Sequence, residues 1–249
     1  VARNGDDSDG LSAKTAISSI GKPVALLKPG DTLTVLPGTY FESVSARISG
    51  TPAAPIVIRA ARPGTVLIRG DVDAPRFRPA EGRPFTFCAD FEKRVEGVAE
   101  RSTLRSYEPM LSLAEVELTP ASFYQEPQVG GAHASDAGGT AQESHATEPR
   151  TGRLYVHTSD SGHPDCHALT ISVTNGFGIL LTPPPGSTTV HDVVIDGLGF
   201  TGYQAREFPP EPGSRNRWGL HVVMGERVAI RRCTAYLNGG GIYLLVPTA

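Results

Sequence analysis

A short polar segment near the end of the chain brings together side chains that could bind a sugar: Arg217, His221 and Trp218, the only tryptophan. An indole ring stacks on the apolar face of a sugar, and guanidinium or imidazole nitrogens hydrogen-bond its hydroxyl groups. Leu220 and Val222 take the opposite face of a strand from His221. The segment therefore predicts a sugar-binding groove. The alternative is that Trp218 packs a loop onto the fold and His221 is solvated.

Two carboxylates, Asp192 and Asp196, bracket an aliphatic run at residues 193–195. Side chains four positions apart point to the same side of a strand if that strand is extended throughout. Such a pair can cleave a glycosidic bond when one carboxyl is protonated and the other ionised. Because Asp196 precedes Gly197, a structural turn is the preferred interpretation. Both carboxylates stay candidate substrate-binding residues, and no catalytic residue is assigned.

Two groups of side chains resemble metal ligands. The first comprises His157, His163, Asp165, Cys166 and His167. It has no Cys-x-x-Cys pair, and neighbours on an extended chain point apart, so a loop with exposed histidines is favoured over zinc. The second is the acidic run Asp6, Asp7 and Asp9, which could offer oxygens to calcium but lacks an EF-hand loop. We predict no metal and no cofactor, with calcium at the acidic run as the alternative.

Composition argues against several classes of protein. The formal charge is −3 and no Lys/Arg run exceeds two residues, so neither nucleic acid nor an anionic membrane is an expected partner. No apolar run approaches the ~18 residues of a membrane span. Three widely spaced cysteines, Cys88, Cys166 and Cys233, permit at most one bridge, and three buried thiols are expected instead.

Very short strands must position the candidate side chains. The segment 31–40 is followed by echoes with an aliphatic, any, aliphatic pattern, each beside a turn residue: 56–59, 66–69, 193–196, 228–231 and 241–245. Strands this short cannot bury a face alone, so they must stack on copies of themselves. The pattern predicts an all-β fold, a solenoid of stacked parallel strands.

The chain is expected to have three parts. Residues 1–71 form an N-terminal cap and the first coils, 72–168 an inserted irregular β-rich subdomain with a mobile loop near 129–149, and 169–249 further coils. The cap is a helix within 12–27, interrupted by Gly21 and Pro23 and ending near residues 19–22. No polar outer turn precedes residue 249, so the coil is expected to be truncated at its C-terminus.

The strand echoes also carry a resemblance. Residues 28–40 resemble the opening turn of right-handed parallel β-helix proteins of the pectate-lyase-like superfamily, and 55–60, 64–70, 193–200 and 228–234 resemble later coils. Residues 122–124, 152–156 and 162–165 resemble an insertion in some β-helix glycoside hydrolases. The resemblance implies a right-handed parallel β-helix in a carbohydrate-active, typically secreted protein. Catalytic groups of that superfamily lie on central or later coils, and none of its catalytic motifs matches here.

The resulting hypothesis is a fragment of an extracellular or periplasmic polysaccharide-degrading protein whose partner is a poly- or oligosaccharide. A glycoside hydrolase is favoured over a polysaccharide lyase, because a lyase needs a Lys or Arg base and the four lysines all lie early, at Lys14, Lys22, Lys28 and Lys93. Two alternatives stay open. One is a non-catalytic β-helix that binds polysaccharide or a surface partner, and the other is a truncated product without activity.

Overall fold

The structure is a computed structural model that describes residues 17–126, 152–174, 176–204 and 217–247. The fold is all-β with few helices, as predicted. The helices are α1 (Gly21–Val24) and α2 (Leu113–Leu118), and a 3-10 turn covers Pro164–Cys166. Nowhere in the described ranges is a helix long and apolar enough to cross a membrane.

The strands fall into an early group, a middle segment and a late group. The early strands are β1 (Thr32–Val35), β2 (Gly38–Phe41), β3 (Val44–Arg47), β4 (Ile56–Ala60) and β5 (Val66–Arg69). The middle segment, residues 71–172, contains β6 (Asp71–Asp73), β7 (Arg78–Pro79), β8 (Phe87–Phe91), β9 (Gly97–Glu100), β10 (Arg105–Ser106), β11 (Glu108–Pro109), β12 (Ser122–Gln125), β13 (Gly152–His157) and β14 (Leu169–Ser172). The late strands are β15 (Ile179–Thr182), β16 (Val190–Asp196), β17 (Leu198–Thr201), β18 (Trp218–Val222), β19 (Gly225–Arg231), β20 (Thr234–Tyr236) and β21 (Gly240–Leu244).

The early and late strands form three parallel sheets of four strands each. Sheet 1 has the order β1-β4-β16-β19, sheet 2 the order β2-β5-β17-β20, and sheet 3 the order β3-β15-β18-β21. Along the chain the strands enter sheets 1, 2 and 3 in rotation. The six segments that carry the aliphatic pattern all lie on these strands, which confirms the prediction of parallel β-structure.

The alternation within each short strand builds one core. In β4, Ile56 and Ile58 are fully buried, whereas Arg59 is exposed. Ile195 of β16 pairs with Ile58 and is also fully buried, so equivalent aliphatic side chains stack from strand to strand. Burial of such a side chain contributes about 1.5–3 kcal/mol. The rows of stacked aliphatics explain why strands of four residues are stable here.

The middle segment has sheets and a core of its own. Sheet 4 has the order β10-β9-β14-β6 and sheet 5 the order β11-β12-β13-β8-β7, and apart from the β11–β12 pair they are antiparallel. A separate cluster that includes Phe123, Leu154 and Ile171 fills the space between them. The division of the chain at residues 72 and 168 stays a prediction.

The helix near the N-terminus lies later than predicted. Residues 17–20 are not helical, and α1 begins at Gly21, the position expected to interrupt it. Pro23 is tolerated because it lies in the first turn, where its missing N–H would have no helical partner. The Glu42 carboxylate accepts hydrogen bonds from the backbone N–H groups of Ile20 and Gly21 at 2.8 and 3.0 Å. Residues 12–16, the acidic run and the loop predicted at 129–149 lie outside the described residues.

All three cysteines lie in the described ranges and are unpaired. Cys88 is buried, as expected. The expectation is wrong for Cys166, which is exposed because the 3-10 turn at its position lies on the surface of the middle segment, and Cys233 is half-buried.

The described residues that connect sheet 2 to sheet 3 lie together, and we call them the second corner. They are residues 42–43 before β3, 176–178 before β15, 202–204 after β17 with 217 before β18, and 237–239 before β21. Tyr203, fully buried, donates its hydroxyl to the backbone oxygen of Glu42. Its backbone N–H donates to Asn238 Oδ1 at 3.0 Å, and Gly239 N–H donates to the Tyr203 carbonyl at 2.7 Å. The second corner is therefore where the middle segment meets the parallel sheets.

Candidate functional site

Aromatic side chains gather on sheet 3 where its strands leave the second corner. We call this group the aromatic face; it comprises Phe177, Arg217, Trp218, His221 and Tyr243. His221 pairs with Leu180 of β15 on one side and with Tyr243 of β21 on the other. Leu220 and Val222 are fully buried in the core, so His221 takes the outer surface of the sheet.

The rings of the aromatic face contact one another closely. Trp218 and Tyr243 are stacked, with centroids 4.8 Å apart and planes inclined by 19°. His221 lies 5.0 Å from the Tyr243 ring and 5.5 Å from the Phe177 ring. The Arg217 guanidinium lies 5.8 Å from the Phe177 centroid, within cation–π range. Tyr243 is 36% exposed, so the stack ends at solvent.

His221 is enclosed by rings, and its imidazole makes no hydrogen bond to the part of the chain that the structure describes. Both ring nitrogens are buried, and neither has a partner among the described residues. Burial lowers the pKa of His221, because the charged form loses its hydration. A buried polar atom without a partner costs about 1–3 kcal/mol. Such a cost is typical of sites where a ligand supplies the missing contact.

Glycine at position 240 makes room for the stack. A Cβ at Gly240 would overlap the Trp218 ring at Cε3 and Cζ3. Gly240 N–H also donates to the Arg217 carbonyl at 2.8 Å, which joins the start of β21 to the start of β18. The close approach of backbone and indole explains a glycine here.

Asp192 and Asp196 were expected to point to the same side only if their strand is extended throughout, and the backbone is not extended at Asp192. Asp192 has a positive φ of 56°, and Arg227, which lies opposite it on β19, has a positive φ of 51°. The Asp192 carboxylate accepts two hydrogen bonds from Arg227, at 2.8 and 2.9 Å, and contacts His191 Nδ1 at 3.1 Å. The hydrogen bonds from Arg227 lower the pKa of Asp192. This carboxylate joins the two opposed left-handed positions of β16 and β19, and it is not positioned to donate a proton.

Asp196 is held in the same manner. Arg232 donates to its carboxylate from Nε at 2.8 Å and from Nη2 at 2.5 Å. These bonds lower the pKa of Asp196. Both sequence-predicted carboxylates are thus ionised and engaged by arginine, on a different sheet from the aromatic face.

The histidines of residues 157–167 have separate partners. His157 is buried, with Nδ1 2.8 Å from the Val116 carbonyl and Nε2 2.8 Å from Ser161 Oγ. His163 Nδ1 accepts from the Asp165 backbone at 3.2 Å. The prediction of exposed histidines is wrong for His157, which β13 carries into the interior, and His163 and His167 are only partly exposed. In the ranges that the structure describes, no three His, Cys, Asp or Glu side chains are placed to hold a metal ion.

The remaining histidine, His167, belongs to a buried network around Glu100. The Glu100 carboxylate accepts from Ser159 Oγ and Ser102 Oγ at 2.8 Å and from Tyr107 at 3.0 Å, and His167 Nδ1 lies 3.1 Å away. Burial alone would raise the pKa of Glu100, but the hydrogen bonds from Ser159, His167, Ser102 and Tyr107 lower it to about 2. His167 Nε2 lies 3.0 Å from Asp160, so the ring donates to both carboxylates only when protonated.

Sequence reasoning identified Trp218, His221 and Arg217 but missed Phe177 and Tyr243. A signal for Tyr243 was present. Residues 178–182, 219–223 and 241–245 share the order glycine, aliphatic, any, aliphatic, and aligning them places Leu180, His221 and Tyr243 in one column. Phe177 precedes its strand and had no such signal.

Comparison with known proteins gives a fold likeness only. The sequence matches no family model and no curated protein. It is similar in structure to XylC in its complex with xylose, with a TM-score of 0.59 and 14% identity over 92% of this chain and 39% of that chain. It is also similar to a glycoside hydrolase, with a TM-score of 0.52 and 11% identity over 93% of this chain and 60% of that one. The chain therefore spans about two fifths and three fifths of these proteins.

Proposed function

We propose that this chain is part of a carbohydrate-active protein and that its aromatic face binds a saccharide. The single observation that carries the proposal is the stacked Trp218 and Tyr243 beside a histidine whose two buried nitrogens have no partner in the described residues. Stacked rings offer a flat apolar surface to a sugar, and the imidazole offers one donor and one acceptor to hydroxyl groups. One fold neighbour is a complex with xylose, which makes xylose-containing glycans the first ligands to test.

The proposal includes a finer description of the fold. Three parallel sheets whose strands are entered in rotation are the expected faces of a right-handed parallel β-helix, and the middle segment is the expected inserted subdomain. Such a coil offers long flanks on which a linear polymer can lie. An extracellular or periplasmic location is part of the same proposal, because polymeric glycans are found there.

Glycoside hydrolysis is the proposed activity of the whole protein, ahead of lyase chemistry. It requires two carboxyl groups, one of them protonated. Non-catalytic saccharide binding is the second candidate for this chain, and a specific observation favours it: Asp192 and Asp196, the predicted pair, are both held ionised by arginines. Release of reducing ends from xylan by the chain would favour hydrolysis, whereas binding without release would favour the second candidate.

Trp218 is the only tryptophan, so its fluorescence reports on the aromatic face alone. We expect xylo-oligosaccharides to change that fluorescence in a saturable manner. Tyr243→Ala should weaken binding by about tenfold, which corresponds to ~1.4 kcal/mol, since the lost stacking and area are of that order.

Tyr236→Ala is the matched control, because Tyr236 is a half-buried tyrosine on sheet 2, outside the aromatic face. It should leave the affinity unchanged. An equal loss for Tyr236→Ala and Tyr243→Ala, or no response of Trp218 to xylo-, cello- or galacturono-oligosaccharides, would overturn the proposal.

A further inference from the structure

A cleft of about 370 Å³ opens between the middle segment and the second corner. This volume lies within the roughly 300–1,000 Å³ of ligand sites. The side chains and backbone that line it are those of Glu96, Gly97, Ser106, Tyr107, Glu108 and Pro109 with Phe123, and across from them Gln204, Asn238 and Gly239. Two carboxylates, two amides and two aromatic residues therefore meet in one place. None of them was singled out from the sequence.

Two of the polar groups in the cleft are built into the structure. Glu96 is 5% exposed and accepts from Arg94 Nε at 3.0 Å, and Gln204 is 7% exposed and donates from Nε2 to Ser106 Oγ at 3.2 Å. Glycine at position 97 is required for this arrangement, because an added Cβ would overlap Gln204 Oε1. The buried groups are thus held in fixed positions before any ligand arrives.

Glu108 differs from these two. It is exposed at the rim of the cleft, and its carboxylate has no hydrogen-bond or ion-pair partner in the described part of the chain. A carboxylate accepts hydrogen bonds from two vicinal hydroxyl groups of a sugar without requiring a second protein group. Glu108 can therefore take a ligand contact at no cost to existing interactions.

The cleft and the aromatic face are neighbours because consecutive residues of the chain contribute to both. Gly239 lines the cleft, and Gly240, the next residue, lies beneath the Trp218 ring. Asn238 also lines the cleft, and its amide Nδ2 lies 3.1 Å from where a Cβ of Gly219, the residue after Trp218, would be. All four strands of sheet 3 start at the second corner, which also contributes Gln204, Asn238 and Gly239 to the cleft.

We propose that the cleft is a second saccharide subsite, so that the ligand is an oligosaccharide spanning both regions and not a monosaccharide. This inference rests on the proposed function. The aromatic face supplies stacking for one sugar unit, and the cleft supplies hydrogen-bond acceptors for a neighbouring unit. Selectivity for chain length follows, because only a longer ligand reaches Glu108.

Titration of Trp218 fluorescence with xylose, xylobiose, xylotriose and xylotetraose tests this inference. We expect the tetrasaccharide to bind at least tenfold more tightly than xylose. Glu108→Gln should reduce that ratio to less than threefold while leaving the affinity for xylose unchanged. Glu81→Gln, an exposed glutamate of the middle segment outside the cleft, should keep the full ratio.

A second variant acts on the buried side of the cleft. Gly97→Ala should displace Gln204 and abolish the length dependence, and its folding is checked by comparing its urea denaturation with that of the wild type. If xylose binds but xylotetraose binds no more tightly, or if Glu108→Gln keeps the full affinity ratio, the proposal of a second subsite is wrong. Saccharide binding at the aromatic face would still be supported. If no sugar of any length changes the signal, both proposals fail.

Discussion

Two histidines in this molecule have opposite surroundings. His167 lies in the middle segment with both ring nitrogens against carboxylates, Glu100 at 3.1 Å and Asp160 at 3.0 Å. His221 lies on sheet 3 among aromatic rings, with both nitrogens buried and without a partner in the described residues. The first arrangement stabilises the fold by itself, and the second leaves a cost that a ligand can relieve.

The difference teaches where to look for function in a fold of this kind. A cluster of titratable residues attracts attention in a sequence, and residues 157–167 did so here. In the structure that cluster is hydrogen-bonded internally and fixes the middle segment. The aromatic face is less conspicuous in sequence, but it holds His221, whose two imidazole nitrogens have no hydrogen-bond partner within the described ranges.

The largest expected effect comes from breaking the satisfied network. Glu100→Gln puts an amide donor among the hydroxyl groups and imidazole that now donate to a carboxylate, and it should reduce the free energy of unfolding by about 3 kcal/mol. Urea denaturation measures the loss. Glu108→Gln, at an exposed position, should change stability by less than ~0.5 kcal/mol. Equal effects of the two variants would remove the contrast between the regions.

Gly240→Ala tests the packing of the aromatic face. The new methyl group would displace the Trp218 ring from Tyr243, which should cost about 1–3 kcal/mol and shift the emission of Trp218 to longer wavelength. Gly241→Ala is the control, because its Cβ would have its nearest neighbour at 3.9 Å, in ordinary contact. An unchanged emission spectrum for Gly240→Ala would show that the stack does not depend on this glycine.

His221→Phe sharpens the comparison because it should be stabilising. Replacing an unpartnered buried imidazole by an apolar ring removes its desolvation cost, so stability should rise by about 1 kcal/mol while saccharide affinity falls. His167→Phe should lower stability, since it removes one of the four partners of the buried Glu100 carboxylate. Thermal unfolding measures the stability of each variant, and titration of Trp218 fluorescence measures its saccharide affinity. A loss of stability in His221→Phe would mean that its nitrogens are satisfied.

The two regions should also respond to different ranges of pH. The folded-state pKa of Glu100 is lowered to about 2 from 4.5, so its contribution to stability is present above pH 4.5 and is lost as the pH falls toward 2. The pKa of His221 is lowered as well, so protonation of the unfolded chain reduces stability as the pH falls below 6.5. Glu100→Gln should remove the acidic step, and His221→Phe should remove the step near neutrality. Stability curves that keep both steps would contradict these assignments.

The parallel sheets could be predicted from sequence because their signal is local. Aliphatic residues two apart beside a turn recur in 56–59, 193–196 and 228–231, and stacking is the only way for such strands to bury a face. The position of α1 could not be predicted, because Glu42, which satisfies its first N–H groups, is distant in sequence.

The site was predicted in part for similar reasons. Trp218 and His221 are neighbours in the chain, whereas Tyr243 joins them only through strand pairing. The left-handed backbone of Asp192 gave no signal, because an aspartate does not require it. The Glu100 network and the cleft assemble residues that are scattered along the chain, and only the sheet topology brings them together.

Quenching of Trp218 fluorescence by acrylamide tests the central claim most directly, because a sugar stacked on the aromatic face must shield the indole. We predict that saturating xylotetraose reduces the quenching constant severalfold in the wild type, and that it has little effect on Tyr243→Ala. A quenching constant that is the same with and without sugar, in a protein shown by calorimetry to bind that sugar, would place the ligand elsewhere and contradict the account.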